Sequence, residues 1–220
     1  MTTVTDCSHY YTLTIGKVKK GIKMLRKEKA IFTKNKVFGA AIELINEKGY
    51  DNVTVSEICK KAGVAKGTFY VHYKSKEDIV KESYYSDMSE FVLKQYNDLI
   101  SKDKNMNIKD RIGKFLISEL MFANYVGYTM TCRAYVTNLA ECISESSKHN
   151  ERREFTGELK KLILEGTNQK VFETDQTAEE IFLYLESFVR GLMASWCFAN
   201  SEFDIVKKGE KYISEILKGL

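Results

Sequence analysis

Residues 54–73 read TVSEICKKAGVAKGTFYVHY, and this stretch decides the fold. Thr54 followed three residues later by Glu57 is a capping box. The threonine hydroxyl accepts from the amide at the third helical position, and the carboxylate returns to the threonine amide. Val55, Ile58, Cys59 and Ala62 then recur at helical spacing and share one face. Gly63 closes this helix, because glycine enters the left-handed conformation without steric cost. A second short helix is expected from about Lys66 to Tyr73. Two short helices around a glycine turn describe a helix-turn-helix.

The helical pattern extends in both directions. Upstream, Val37, Phe38, Ala41, Ile42, Leu44 and Ile45 form one apolar face, with Gly49 expected as its left-handed stop. Downstream, a long helix is expected over 77–99, with Ile79, Tyr84, Met88, Phe91, Val92, Tyr96 and Leu99 as its apolar positions. Ser101 to Asn107 reads as a loop and Ile108 to Ala123 as the next helix. Gly127 and 144–150 are expected breaks, which leaves helices at 128–143 and 152–164. Gly166 to Asp175 reads as a loop, and Thr177–Asn200 with Asp204–Leu217 completes the chain as a helical hairpin. Proline is absent and strand-like alternation is scarce, so the fold class is all-α.

Composition agrees. With 220 residues, 44% hydrophobic and 29% charged, the chain can bury an independent core, which excludes disordered, collagen-like and disulfide-stapled classes. The apolar run Val189 to Ala199 is interrupted by Arg190, Gly191 and Ser195, so no membrane-spanning helix and no membrane partner are expected. Residues 1–16 lack the basic start and apolar segment of a secretory signal. Five widely spaced cysteines suit reduced thiols, and the expected location is cytoplasmic.

Charge is unevenly placed. Residues 1–80 carry 15 Lys/Arg against 8 Asp/Glu, while 81–220 carry 19 against 22. A basic first third on a mildly acidic remainder suits a polyanionic partner, although lysines that merely solvate a small helical domain give the same count. Within it, Lys17 to Lys36 holds nine basic residues and one acid, Glu28. Three readings fit this extension: an arm reaching phosphates or the minor groove, an inert tail, or a translation start at Met24.

Residues 33–80 resemble the DNA-binding domain of tetracycline-repressor-type (TetR family) regulators. Ala41, Leu44 and Gly49-Tyr50 carry the resemblance first, followed by Thr54-Val55, Ile58 and Ala62-Gly63-Val64. Lys66-Gly67-Thr68-Phe69-Tyr70, His72-Tyr73, Lys74, Lys76 and Glu77-Asp78 complete it. Ala65 and Val71 depart from the family pattern, where serine and a second tyrosine are common; each removes one possible phosphate contact. Candidate DNA-binding residues are Thr33, Thr54, Ala65, Lys66, Gly67, Thr68, Tyr70, His72, Tyr73 and Lys76. Gly67 allows close backbone approach and Lys66 reaches a guanine edge or a phosphate. Thr68 and Tyr70 offer hydroxyls, His72 donates to phosphate, and Thr54 marks a helix N-terminus suited to an anion. Lys76 is assigned a DNA-backbone contact by the resemblance. Tyr73 has a second reading, packed beneath its helix, and Cys59 reads as core.

The remaining chain shows no paired acid and base, no metal-ligand spacing, no phosphate loop and no nucleophile elbow. His149 lies in a polar setting. No catalysis, cofactor or metal is therefore expected. Phe115 to Val136 is charged only at Glu119 and Arg133. The resemblance implies a small-molecule cavity in the second domain, with Phe115, Met121, Phe122, Tyr125, Tyr128, Met130, Tyr135, Tyr184 and Phe188 as candidate ligand-binding residues; the same stripe also reads as core. The last two helices are apolar on more than one face, and the resemblance implies a homodimer paired through them, with Leu185, Leu192 and Ile216 as seam candidates. The expected organisation is a basic extension (1–30), a helix-turn-helix domain (31–76) and a ligand-binding and dimerisation domain (77–220). The expected function is a repressor on a two-fold symmetric double-stranded operator, released by a small-molecule effector. A ligand-independent DNA organiser and a helical enzyme are the alternatives.

Overall fold

A computed structural model describes residues 26–103, 105–144 and 155–220. Most of the basic extension and His149 lie outside the described residues. The chain forms two compact units, the first ending at Ile79 and the second running Val80–Leu220. Every regular element among the described residues is helical.

The first unit opens with α1 (Arg26–Lys48), which begins well before its apolar stripe. Gly49 is a correction to the sequence reading. Its φ of 78° is positive as expected, but its ψ of 152° is extended, so it is not a left-handed cap. It turns the chain instead into a 3-10 turn, Tyr50–Asn52. Helix α2 (Val55–Ala62) is closed by Gly63 in the left-handed conformation (φ 64°, ψ 41°), and α3 (Lys66–His72) follows. Val37, Phe38, Ala41, Ile58 and Phe69 are each fully enclosed and form the centre of this unit. Burying a side chain of that size stabilises by ~1.5–3 kcal/mol relative to exposure.

Helix α4 (Lys76–Glu82) passes into a π-helical turn, Ser83–Asp87, and then α5 (Met88–Ile100). The sequence reads as one regular helix here. The wider turn puts Tyr84, Tyr85 and Met88 all inside, and regular helical spacing does not place three such positions together on one narrow face.

The second unit is built around α6 (Ile108–Val126), capped by Asn107, whose side chain accepts from the Asp110 amide. It packs against α5, α10 (Ile205–Gly219) and α8 (Thr156–Asn168). Gly209 makes the α6–α10 contact possible, since a Cβ there would run into Leu120 Cδ1. Helix α7 (Tyr128–Ser144) starts directly after Gly127. Helix α8 continues to Asn168, past the expected loop start at Gly166. The Phe172 ring folds back over Gly166, where an added Cβ would lie 2.7 Å from it. Helix α9 (Ala178–Phe198) carries a second capping box, Thr177 with Glu180. By length and composition alone α9 is apolar enough to cross a membrane, which the sequence reading did not anticipate. Its Ile181, Leu185, Val189, Met193 and Trp196 are buried within the unit.

Candidate nucleic-acid interface

The start of α2 is locked by its own cap and by the end of α1. Thr54 Oγ1 accepts from the Glu57 amide at 3.2 Å, and the Thr54 amide donates to Glu57 Oε2 at 2.9 Å. Lys48 Nζ reaches Glu57 Oε1 at 2.9 Å. Together, with Lys48 contributing most, they hold the Glu57 carboxyl at about 2. Because the Thr54 hydroxyl also donates to Glu57, a phosphate at this helix start is left the first backbone amides.

Helix α3 divides cleanly into an inner and an outer side. Phe69 and Tyr73 are inside, and their ring centroids lie 6.0 Å apart. Lys66, Gly67 and Ala65 are exposed, Tyr70 is 56% exposed and Val71 78%. Thr68 is half-buried. No atom lies within 4 Å of a Cβ built on Gly67, so the surface there is open to a close approach. Ala65 makes no side-chain cap. Its carbonyl accepts from the Thr68 and Phe69 amides at 2.9 and 3.2 Å. His72 is half-buried, and desolvation, with the nearby Lys34 charge, pushes its pKa below the ordinary histidine value.

Three of the candidate residues are placed differently from the outward contact expected of them. Tyr73 takes its second reading: it is 1% exposed, with Lys34 Nζ 5.7 Å from its ring centroid. Thr33 is half-buried on α1 and its hydroxyl donates to the Lys29 carbonyl at 2.8 Å. Lys76, expected at the DNA backbone, is committed internally: Nζ donates to the carbonyls of Tyr50 (2.7 Å) and Val53 (2.8 Å) and lies 4.1 Å from the Tyr50 ring centroid. Those carbonyls belong to the 3-10 turn and its exit, which a sequence without coordinates does not bring near residue 76.

The candidate ligand residues do not converge on one cavity. Phe122 and Tyr135 border a void of about 10 Å³ with Tyr84, Met88, Val126 and Met193, enough for a single water. Phe115 lies between Tyr96 and Phe155, at 5.3 and 6.1 Å. Tyr125 stacks on Phe91 at 5.2 Å. Tyr128 donates to Asn200 Oδ1 at 2.9 Å, near the far end of α9. Met121 is half-buried, and Met130 is fully enclosed. Tyr184 and Phe188 instead line an open groove of about 630 Å³ with Tyr212 and Ile216. Tyr84 and Met88 were visible as apolar positions, but the π-turn that aims them at the void was not.

A capped helix, a left-handed glycine turn and a short helix with a buried aromatic underside define a helix-turn-helix of the DNA-reading class. Residues 37–83 match the family described as bacterial regulatory proteins, tetR family. The match covers the helix-turn-helix segment, which is similar to the DNA-binding domain of that family. Over 66 residues it is 41% identical to a fatty acid metabolism regulator protein of Bacillus subtilis, covering 30% of this chain and 34% of that one. The match thus spans about a third of that relative's length. Over 209 residues it is 24% identical to the transcriptional regulator AcrR of Shigella flexneri, covering 87% and 91% of the two chains. The fold is shared with the transcriptional regulator FadR of Bacillus subtilis, solved in complex with stearoyl-CoA. The TM-score is 0.60 at 22% identity, over 84% of this chain and 98% of that one. Each of these relatives is described as a regulator.

Proposed function

We propose that the protein is a homodimeric repressor acting in the cytoplasm, which binds a two-fold symmetric operator through α3 and leaves it when an acyl-CoA enters the second unit. The outward face of α3 carries the reading: Lys66, Gly67 and Tyr70 are exposed while Phe69 and Tyr73 anchor the helix from beneath. A short helix held this way presents its first turn to base edges in the major groove. Regulators of this family bind operators as homodimers and take small-molecule effectors, acyl-CoA among them.

The acyl-CoA assignment draws support from the Bacillus relatives and from the apolar rim of the void. A void of about 10 Å³ holds no hydrocarbon chain, so entry requires Tyr84 and Met88 to move. Both sit at the π-turn, whose backbone continues into α4. Movement there passes along the chain toward the segment that follows α3. The partner subunit is assigned to the outer face of α9. Leu183, Tyr184 and Phe198 are 65%, 46% and 88% exposed on it, and Ser187 and Gly191 between them leave room for close helix approach. The seam proposed from sequence needs correcting: Leu185 and Leu192 point into their own unit, with Leu192 against the Gly209 position.

The test is a titration of duplex DNA from upstream of the protein's own gene, with and without stearoyl-CoA. Tight, sequence-dependent binding that weakens with stearoyl-CoA supports the proposal. The small void favours one other reading, a DNA organiser without an effector, for which binding persists unchanged at saturating acyl-CoA.

A further inference from the structure

Helices α7 and α9 run against each other in a register fixed by two hydrogen bonds. Tyr128 donates to Asn200 Oδ1 at 2.9 Å, and Tyr135 donates to the Arg190 carbonyl at 3.0 Å. Residues 128, 132 and 135 fall on one face of α7. Between the two bonds, on that face, the Cys132 thiol meets the Cys197 thiol of α9, and Cys197 hydrogen-bonds to it. Both cysteines are free and half-buried, so a small oxidant reaches them without unfolding. By contrast Cys59 is buried in the first unit, and Cys142 is exposed near the end of α7. The proposed regulatory function makes no use of this pair.

We infer that Cys132 and Cys197 are a redox-active pair, which a hydroperoxide closes into a disulfide that staples α7 to α9. In the first step the Cys132 sulfur attacks a peroxide oxygen. The O–O bond breaks, a sulfenic acid forms and one water leaves after proton uptake. In the second step Cys197 attacks the sulfenic sulfur, the S–S bond forms, the S–O bond breaks and a second water leaves. Two thiols lose two electrons in total, and one hydrogen peroxide is reduced to two waters. Burial, with the hydrogen bond and charge of Cys132, pushes the Cys197 thiol up to about 12. The raised pKa makes Cys197 the poorer first nucleophile, so the first attack is assigned to Cys132. The Tyr128–Asn200 and Tyr135–Arg190 bonds hold the register on both sides of the pair, which limits the motion by which the two sulfurs would meet.

The structure also supplies a reporter. Trp196, the chain's one tryptophan, is next to Cys197, and its ring centroid lies 6.3 Å from that of Tyr128. The full chain is treated with hydrogen peroxide, remaining thiols are alkylated, and unreduced peptides are weighed while Trp196 emission is followed. The expected product is a linked Cys132–Cys197 peptide pair, about 2 Da lighter than the sum of its parts. Trp196 emission changes with it, and dithiothreitol reverses both. Cys132→Ser and Cys197→Ser each remove the link and the emission change, whereas Cys142→Ser keeps both. Recovery of Cys132 and Cys197 separately alkylated after peroxide, or a link that runs through Cys142 instead, overturns the inference. Because the wild-type peptide mass decides the matter, a variant that fails to fold does not spare it.

Discussion

Lys76 Nζ sits 4.1 Å from the centre of the Tyr50 ring and donates to the Tyr50 carbonyl at 2.7 Å, so one ammonium fastens the start of α4 to the turn after α1. The Tyr50 hydroxyl completes the clasp by donating to Glu77 Oε1 at 3.1 Å. A lysine at a DNA phosphate and a lysine in this clasp respond differently to salt. Removing a phosphate contact lowers the slope of log affinity against log salt by ~0.9. For Lys76→Met the expected result is an unchanged slope with the first unit destabilised by about 1.5–3 kcal/mol, the worth of hydrogen bonds from a charged donor. Salt titrations of DNA binding and thermal melts of the same variant check both halves.

On the outer side of α3 the expectation is the reverse. Lys66→Ala removes an exposed side chain, so the melting temperature stays within the scatter of surface substitutions. Tyr70→Ala also gives up an edge-to-face contact with Phe69 at 5.3 Å, worth about 0.5–1.5 kcal/mol. Operator affinity falls by roughly 1–3 kcal/mol where a base contact is lost. Phe69→Ala on the inner side should cost about 3–5 kcal/mol of stability and take DNA binding with it. Competition binding alongside melts separates the two faces.

Glu57 gives a pH signature. Its folded carboxyl titrates at about 2 against an ordinary 4.5. A depressed carboxylate contributes stability that is fully present above the unfolded value and is lost as pH falls through the folded one. Glu57→Gln keeps the capping geometry and removes the charge. The wild type should therefore melt higher than the variant at neutral pH, with the gap closing between pH 4.5 and about 2. A gap independent of pH contradicts the assignment to the Lys48–Glu57 pair.

Gly209→Ala tests the packing of the second unit. The new methyl lands on Leu120 Cδ1, and Leu120 is fully buried, so the side chain must be forced from its place. Overpacking of this kind costs typically ~1–3 kcal/mol, against a gain of about 1 kcal/mol in helix propensity. A lower melting temperature is the expected outcome.

The reach of the sequence follows from the range of the interactions. The Thr54–Glu57 box, the Gly63 cap and the Phe69 anchor are set by neighbours within a few residues, and all three were legible. Gly49 was half legible: its need for positive φ is local, but its extended ψ depends on where the next turn must go. The inward turn of Lys76 depends on carbonyls more than twenty residues away. The π-turn beside Tyr84 leaves no trace in spacing, because an inserted residue looks the same as a broader apolar face. Tyr184 and Phe188 failed to join Phe122 for a related reason. A helix with two apolar faces does not say which one its own unit uses.

Assembly is tested on the exposed face of α9. Gly191 has nothing within 4 Å of an added Cβ, so Gly191→Arg fits the isolated subunit while blocking close approach of a second copy. The expected result in sedimentation is a dimer for the wild type and a folded monomer for the variant. A wild-type monomer at micromolar concentration contradicts the proposed partner face.

Footprinting of duplex DNA from upstream of the protein's own gene addresses operator reading most directly. The expected pattern is one protected site with two symmetric halves about 34–36 Å apart, or a multiple of that, on a single face of the duplex. Protection is expected to vanish for Tyr70→Ala at a concentration where that variant remains folded and dimeric. Protection that is absent from the wild type, or undiminished in Tyr70→Ala and Lys66→Ala together, contradicts the reading of α3 as the element that recognises DNA.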